Sequence, residues 1–355
     1  MTGPIDIAGL RPRVDKALAA FLSGQRARLL AIDPALAEVS AAVEAFVLLG
    51  GKRLRPAFAY WGYRGAGGAD RDEIVSALAA LELVQAGALI HDDLMDRSDT
   101  RRGEPAIHRR FEAEHAANRW RGGAAAFGDA AAVLLGDLAM VWSDEMLHTS
   151  GVAPADLARA RPVFDEMRTE VMVGQYLDVL TQAVGDNTPE RAAKVARYKS
   201  AKYTVERPLL LGAALAGAPP AITAAYSAFG LPLGEAFQLR DDVLGVFGDP
   251  ARTGKPAGDD LREGKRTYLM AAAFAAAGPA ERAVLDAGLG DPGLGDGGVA
   301  RLRAIISGCG ALDRTEARIA ALTEAALGAL DAADLEPAAR AVLHDLADAA
   351  TRRRE

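Results

Sequence analysis

The chain has 355 residues, 50% of them hydrophobic and 25% charged, a balance that excludes a disordered or collagen-like protein. Lys and Arg together number 41 against 48 Asp and Glu, and the formal net charge of -7 argues against nucleic acid as a partner. The single cysteine, Cys309, excludes an internal disulfide and fits the reducing cytoplasm, where we expect the protein to be located.

Long apolar-periodic segments, rich in Ala, Leu, Glu and Arg and separated by Gly and Pro, predict an all-α fold. No charged low-complexity linker interrupts them, and Gly288 to Gly298 fits a surface connection between late helices, so we expect a single domain over residues 1–355. The predicted helices, in chain order, are Val14–Leu30, Ala37–Leu49, Pro56–Gly62, Asp72–Met95, Ala124–Leu147, Ala155–Gln182, Pro189–Ala216, Ala221–Phe247, Lys265–Ala277 and Arg314–Leu330.

A basic segment, GGKRLRP at residues 50–56, precedes the third predicted helix. Two glycines followed by several cations can hold an anion with backbone N–H groups and side chains together. Each cation taken alone also fits a solvated surface position. The segment is therefore a candidate anion site only in combination with other motifs.

The long predicted helix Asp72–Met95 ends in HDDLMD, residues 91–96. Asp92 and Asp96 are four residues apart, so they share a helix face and repel each other at the negative end of the helix dipole. A divalent cation would relieve both costs, and hard oxygen ligands that leave room for water and phosphates suit Mg²⁺. The alternative is a solvated acidic helix end. A basic pair, Arg101 and Arg102, follows.

No charged residue occurs between Arg207 and Glu235, a stretch long enough to cross a membrane. Its several prolines and glycines favour two buried helices instead, so we expect no stable membrane insertion. Charges near the N-terminus, beginning at Asp6, also argue against a signal peptide.

A second acidic cluster, Asp241 and Asp242 followed by Asp249, lies at the end of the predicted helix Ala221–Phe247. If this helix faces the helix that ends at Met95, the two clusters can bracket one metal-bound diphosphate group. The cations that follow or precede this cluster include Lys202, Lys255, Lys265 and Arg266.

The order and context of these motifs, from Gly50 to Lys265, resemble those of the trans-type isoprenyl diphosphate synthases. The resemblance implies an all-α bundle of about ten or more helices around a central cavity. It implies a Mg²⁺-dependent prenyltransferase that condenses isopentenyl diphosphate with an allylic diphosphate to give an all-trans polyprenyl diphosphate. It also implies a homodimer and three Mg²⁺ ions when substrate is bound.

Residue roles follow from the same resemblance. Catalytic roles are implied for Asp92, Asp96, Lys202 and Asp241, and metal binding for Asp92, Asp93, Asp96, Asp241 and Asp242. Isopentenyl diphosphate is assigned to Lys52, Arg55, Gln85 and Arg102, and the allylic diphosphate to Arg101 and Lys202. Gln238, Lys255 and Lys265 resemble the remaining substrate-binding residues.

Two positions depart from the family pattern. Tyr203 stands where threonine is common, which leaves open whether Thr204 takes the substrate-binding role. Gly245 stands where many members have a third aspartate, so metal binding there must rely on Asp241 and Asp242.

Product length depends on the helix that ends near Asp92. Each helical turn is about 5.4 Å, close to one isoprene unit, if the growing tail runs toward the helix N-terminus. In the family, aromatic residues one turn away commonly stop growth near fifteen carbons, whereas Gly87 and Ala88 are small here. Val84, with Leu83 and then Leu81, would come next. We therefore predict geranylgeranyl diphosphate, with longer chains and then a fifteen-carbon product as the competitors.

Rival interpretations remain. Glu112 to His115 and Glu145 to His148 match the Glu-x-x-His spacing of carboxylate-bridged di-iron bundles, but that class explains neither the basic segment nor the paired aspartates. A terpene cyclase needs no second diphosphate site, so Lys52, Arg55 and Arg102 count against it. A non-catalytic subunit would be expected to have lost its acidic motifs.

Overall fold

The computed structural model describes residues 9–248, 258–291 and 293–351, and almost all of them are helical. The helices are α1 Leu10–Ile32, α2 Ala37–Leu48, α3 Leu54–Gly65, α4 Asp72–Met95, α5 Ile107–Asn118, α6 Ala124–His148, α7 Pro154–Val184, α8 Pro189–Val195, α9 Arg207–Ala216, α10 Pro220–Phe247, α11 Asp259–Arg262, α12 Tyr268–Ala276, α13 Pro279–Gly288, α14 Asp296–Gly308, α15 Ala311–Asp331 and α16 Pro337–Thr351. A 3₁₀ turn spans Pro34–Leu36, a π-helical segment spans Ala196–Glu206, and β1 Thr100–Arg101 pairs with β2 Glu104–Pro105. The all-α prediction is confirmed.

The described residues form two compact units. Unit 1 lies within Met1–Tyr60 and Ala69–Leu157, and unit 2 lies within Trp61–Gly68 and Ala158–Glu355. Each unit is described by itself below. The single domain over residues 1–355 stays a prediction.

Unit 1 is built around α4, in which 14 of the 24 residues are buried. Ile74, Leu78 and Leu81 are completely enclosed. The backbones of α4 and α6 lie close together at Gly87 and Gly136. A Cβ atom at Gly87 would lie only 2.8 Å from the carbonyl oxygen of Gly136. This contact fixes the path of α4 and hence the position of the aspartates at its C-terminal end.

Two helices of unit 1, α4 and α6, are long and apolar enough to cross a membrane by length and composition alone. The apolar part of α4 is 72% buried inside the protein, as expected of a core helix, whereas that of α6 is only 33% buried. The stretch predicted from the sequence as two buried helices, residues 208–234, forms most of α9 and the first part of α10.

Unit 2 places α10 against the π-helical segment. A Cβ atom at Gly234 would lie 2.4 Å from the carbonyl oxygen of Ala201, so only glycine allows this close approach. Beyond that contact, the C-terminal half of α10 packs into an apolar core with α11, α12, α14 and α15, which includes Leu239, Val243, Leu261 and Phe274. The packing holds the acidic end of α10 in a fixed position.

Candidate active site

One face of α4 stays accessible in unit 1. Gln85, Ala88, Asp92 and Asp96 are all partly exposed, and they recur at a spacing of three or four residues. Most other positions of the helix are buried. The two predicted metal ligands Asp92 and Asp96 therefore share a solvent-accessible face with the predicted substrate ligand Gln85.

The β hairpin returns an arginine to the end of α4. Arg101 Nε donates to Asp93 Oδ1 at 2.9 Å and to Asp93 Oδ2 at 3.1 Å, and its Nη2 lies 3.5 Å from Asp92 Oδ2. Asp93 is only 1% exposed, so its charge needs this partner. Asp93 thus lies behind Asp92 and is bound to Arg101, which fits a supporting role.

The cations of the basic segment, residues 50–56, differ in how deeply they are buried. Lys52 is exposed and Arg55 is partly exposed, whereas Arg53 is 4% exposed. Arg53 has a left-handed φ of 51°, and it donates to Asp15, to the buried Glu82 and to the carbonyl of Val47. Arg53 is therefore a structural residue that leaves Lys52 and Arg55 as the accessible cations of the segment.

Arg102 joins the basic segment from the hairpin turn. Its Nη1 donates to the carbonyl oxygen of Leu49 at 2.9 Å, next to Gly50. Partial loss of solvent lowers the pKa of Arg102, and the positive charges of Arg53, Arg101 and Arg55 lower it further, against the attraction of Glu82. A guanidinium surrounded by like charges marks a place where an anion would be stabilised.

The predicted product-length positions differ in their surroundings. Ala88 is partly exposed on the face of Asp92, but Gly87 is buried against α6, where a Cβ atom would also lie 2.9 Å from Cε of Met140. Val84 and Leu81 are fully buried. Gly87 therefore does not offer open space for a larger side chain, which corrects the expectation that it and Ala88 are equivalent positions.

The acidic end of α10 in unit 2 contains a buried carboxyl group. Asp242 is 4% exposed and accepts a hydrogen bond from Gln238 Nε2 at 2.7 Å. Burial raises the pKa of Asp242 to about 8, helped by repulsion from Asp260, Asp241 and Asp178 and opposed by the Gln238 hydrogen bond. Asp241, beside it, is partly exposed.

Two acids of this cluster were not predicted from the sequence. Asp178 comes from α7 and binds Lys199 Nζ at 2.6 Å, and Asp260 comes from α11. A Cβ atom at Gly245 would lie 1.9 Å from Asp260 Oδ2, so the Asp260 carboxylate occupies the space of a side chain at position 245.

The other predicted residues of unit 2 differ in burial, since Lys202 and Lys265 are partly exposed whereas Thr204 is buried. Lys202 lies on the π-helical segment, and Tyr203 and Thr204 are 3% and 1% exposed. Lys265 Nζ lies 2.7 Å from Glu263 Oε2 and 3.8 Å from Asp260 Oδ1. Asp249 and Lys255 lie outside the described residues.

Two accessible carboxylate clusters with cations beside them are what a metal-dependent diphosphate enzyme needs. Residues 37–302 match the family described as Polyprenyl synthetase, which is most of the chain. The chain belongs to the polyprenyl synthetase family. It is a trans-prenyltransferase that joins isopentenyl diphosphate to an allylic diphosphate, as the sequence predicted.

Solved structures and curated relatives agree with this membership. A geranylgeranyl pyrophosphate synthase from Corynebacterium glutamicum, complexed with isoprenyl diphosphate and magnesium, is 43% identical, with a TM-score of 0.94 over 97% of this chain and 98% of that one. A geranylfarnesyl diphosphate synthase from Aeropyrum pernix is 35% identical over 76% of this chain and 79% of its own. A geranylgeranyl diphosphate synthase from Methanosarcina mazei is 34% identical over 63% of this chain and 64% of its own.

The family is Mg²⁺-dependent, and the carboxylates of this prenyltransferase fit that ion. Within the described part of the chain, no group of three or more His, Cys, Asp or Glu residues is placed to hold a metal. Mg²⁺ is commonly bound by one or two carboxylates together with water and substrate phosphates. Asp92 and Asp96 provide such a pair in unit 1, and in unit 2 the partly exposed Asp241 lies beside Asp242, whose pKa is raised mainly by burial and further by neighbouring acids.

The Glu-x-x-His motifs of this synthase serve packing and capping. His115 Nε2 lies 3.1 Å from the carbonyl oxygen of Arg121, and its ring contacts Trp120 and Phe127. His148 Nδ1 lies 2.8 Å from the carbonyl oxygen of Asp144. These contacts and the family membership rule out the di-iron interpretation.

Proposed function

We propose that this prenyltransferase makes geranylgeranyl diphosphate. The observation that carries the proposal is the accessible face of α4, on which the small residue Ala88 lies one turn before Asp92, while the larger Val84 and Leu81 further along the helix are fully buried. A tail that starts at Asp92 would pass Ala88 before it meets a large side chain. The similarity to geranylgeranyl synthases from Corynebacterium glutamicum and Methanosarcina mazei supports the same length.

We propose that Lys52, Arg55, Gln85 and Arg102 bind isopentenyl diphosphate. Lys52 and Arg55 are the accessible cations of the basic segment, and Arg102 lies among like charges beside it. Three cations and an amide can together neutralise and orient a diphosphate without taking part in bond breaking.

The allylic diphosphate is assigned to Lys202, with Arg101, Lys265, Lys255, Gln238 and Thr204 as the further candidates. Ionisation of the allylic carbon–oxygen bond leaves charge on the departing diphosphate oxygens, and fixed cations lower that barrier. Bound Mg²⁺, which we propose as three ions, would neutralise the same oxygens. Asp92, Asp96, Asp241 and Asp242 would hold the ions, with Asp93 behind them.

The test is an incubation with isopentenyl diphosphate, Mg²⁺ and each of the C5, C10 and C15 allylic primers, with the product lengths resolved. A twenty-carbon product from all three primers is the expected result. A twenty-five-carbon product, as the name of the Aeropyrum pernix relative suggests, would overturn the length assignment and leave the reaction class intact.

We propose further that a second copy of the chain covers α6. Phe127, Leu134 and Val141 recur every seven residues and are 39%, 65% and 64% exposed, which forms an apolar stripe along one face. We also propose that the protein is cytoplasmic and is not inserted in a membrane. On such a protein, the same stripe of a partner chain is the best cover for an exposed apolar stripe.

Light scattering on the purified protein tests the dimer. Leu134→Glu should give a monomer, whereas Ile32→Glu, at a 76% exposed apolar position of α1, should leave the mass unchanged. A dimer that survives Leu134→Glu would exclude α6 as the interface.

Cell fractionation tests the proposed cytoplasmic location, and recovery of the protein with alkali-washed membranes would contradict that location.

A further inference from the structure

Lys202, the proposed allylic-diphosphate lysine, is held between two carboxylates of unit 2. Its Nζ donates to Glu170 Oε1 from α7 and lies 3.9 Å from Glu206 Oε2, one turn further along its own segment. It also lies 5.1 Å from the centre of the Tyr198 ring. The Lys202 side chain is only 15% exposed, so these partners control where its ammonium group points.

The two carboxylates differ in how well they are satisfied. Arg207 binds Glu170 through two hydrogen bonds, Nε to Oε2 at 2.6 Å and Nη2 to Oε1 at 2.9 Å. Glu206 Oε2, by contrast, is buried and accepts no hydrogen bond within the described chain. A buried carboxylate oxygen without a donor attracts the nearest ammonium strongly.

Arg207 also explains how Lys202 can leave Glu170 for a substrate. Because the guanidinium fork binds both Glu170 oxygens, the Glu170 carboxylate keeps a charged partner when the lysine turns to a diphosphate. Burial pushes the pKa of Glu170 up, but the hydrogen bonds from Arg207 and Lys202 outweigh it and hold the pKa below its ordinary value.

We infer that Glu170 is a positioning residue, which draws the Lys202 ammonium away from Glu206 and keeps it available for the allylic diphosphate. The inference rests on the proposed role of Lys202. The π-helical backbone fits it, because π-helical turns occur frequently at functional sites. Without the Glu170 charge, Lys202 would pair with Glu206 and be withdrawn from the substrate.

The test is steady-state kinetics with both substrates varied. Glu170→Gln keeps the shape of the side chain and removes its charge, and it should raise the KM for the allylic diphosphate roughly tenfold with the KM for isopentenyl diphosphate unchanged. Adding Glu206→Gln to that variant removes the competing carboxylate and should restore most of the loss. A purely structural role for Glu170 would not be rescued in this way.

Two further variants keep the result decisive. Glu166→Gln removes another carboxylate partner of Arg207, one that is 57% exposed and one turn before Glu170, and it should leave both KM values unchanged. If Glu170→Gln does not fold, Glu170→Asp retains the charge but shortens the reach to Lys202, and it should raise the allylic KM as well.

The outcomes separate the inference from the proposed function. If Lys202→Ala leaves the allylic KM and the turnover unchanged, the proposed allylic site is wrong. If Lys202→Ala impairs the allylic substrate while Glu206→Gln fails to rescue Glu170→Gln, the allylic site stands and the positioning role of Glu170 is overturned.

Discussion

The two acidic motifs have similar sequences and different electrostatics. In unit 1 the buried aspartate of the motif, Asp93, is paired with Arg101, whose Nη2 also lies 3.5 Å from Asp92 Oδ2. In unit 2 the buried aspartate, Asp242, accepts an amide hydrogen bond and is surrounded by three further acids. Similar sequences thus give the buried aspartate a charged partner in unit 1 and an amide partner in unit 2.

This difference predicts different dependences on metal. In unit 1 Arg101 neutralises the buried Asp93, whereas in unit 2 Asp242 accepts a hydrogen bond from an amide, so a proton or a bound cation would offset both its burial and the repulsion from its acidic neighbours. We therefore expect variants of the acidic motif in unit 1 to lower turnover. Variants of the acidic motif in unit 2 should change both metal affinity and stability.

The largest expected effect is on turnover. Asp92→Asn should lower kcat at least about a hundredfold, because a metal ligand that stabilises the leaving group is lost, and the melting temperature should stay close to that of the parent. Asp99→Asn, at a 77% exposed side chain that pairs with Arg109, is the matched control and should keep normal kcat. Near-normal activity of Asp92→Asn would remove Asp92 from the site.

The next effect concerns product length and separates two neighbouring positions of α4. Ala88→Phe should shorten the product to fifteen carbons, because Ala88 shares the accessible face with Asp92. Gly87→Phe should instead destabilise unit 1, because the α6 backbone already fills that space. Product analysis and thermal melting of both variants check this. An active Ala88→Phe enzyme with an unchanged product would mean that the tail takes another path.

A third prediction separates adjacent cations of the basic segment. Lys52→Ala should raise the KM for isopentenyl diphosphate about tenfold with little change in stability. Arg53→Ala should cost about 3 kcal/mol in the free energy of unfolding, because it leaves Glu82, which is 5% exposed, without its charged partner. Chemical denaturation and kinetics on both variants measure the contrast, and the reverse pattern would show that the two cations are misassigned.

The smallest effect concerns pH and the unit 2 cluster. The pKa of Asp242 is raised in the folded protein to about 8, so the folded state binds a proton that the unfolded state releases near pH 4. The bound proton on Asp242 contributes its full stabilisation below the pKa of the unfolded state. That stabilisation is lost as the pH rises through about 8, and the free energy of unfolding falls by up to about 1 kcal/mol per pH unit.

Melting curves in a chelator between pH 5 and 9 test this sign. Asp242→Asn should flatten the decline in stability with rising pH, and Mg²⁺ should reduce the decline in the parent protein. Asp334→Asn is a control remote from the cluster in sequence. A decline of equal slope in Asp242→Asn would assign the pH dependence to another group.

The sequence predicted the fold well where apolar periodicity was long. The run from 189 to 216 was predicted as one helix, and it is helical throughout as α8, the π-helical segment and α9. The helices α5, α13, α14 and α16 were not among those predicted. The helix α13 has only 10 residues, fewer than the window over which a helical period can be recognised.

The candidate site was predictable as a set of motifs but not as a set of contacts. Spacing alone placed Asp92 and Asp96 on one face, whereas the ion pairs that bury Arg53 join it to residues 38 and 29 positions away, and the pairing of Arg101 with Asp93 depends on the hairpin turn. Asp260 could not be foreseen, because nothing local to α11 indicates that its carboxylate fills the space beside Gly245.

The short hairpin between α4 and α5 has a consequence for how this chain can vary. Its turn residues, Arg102 and Gly103, both have positive φ angles, 56° and 83°. Arg101 binds the end of α4 while Arg102 reaches the carbonyl of Leu49, so neighbouring arginines serve different places. Because the positive φ angles of the turn set the direction of Arg102 relative to Arg101, deletion of one residue would change where the two side chains point. We therefore expect homologous chains to keep the length of this loop even where its other residues differ.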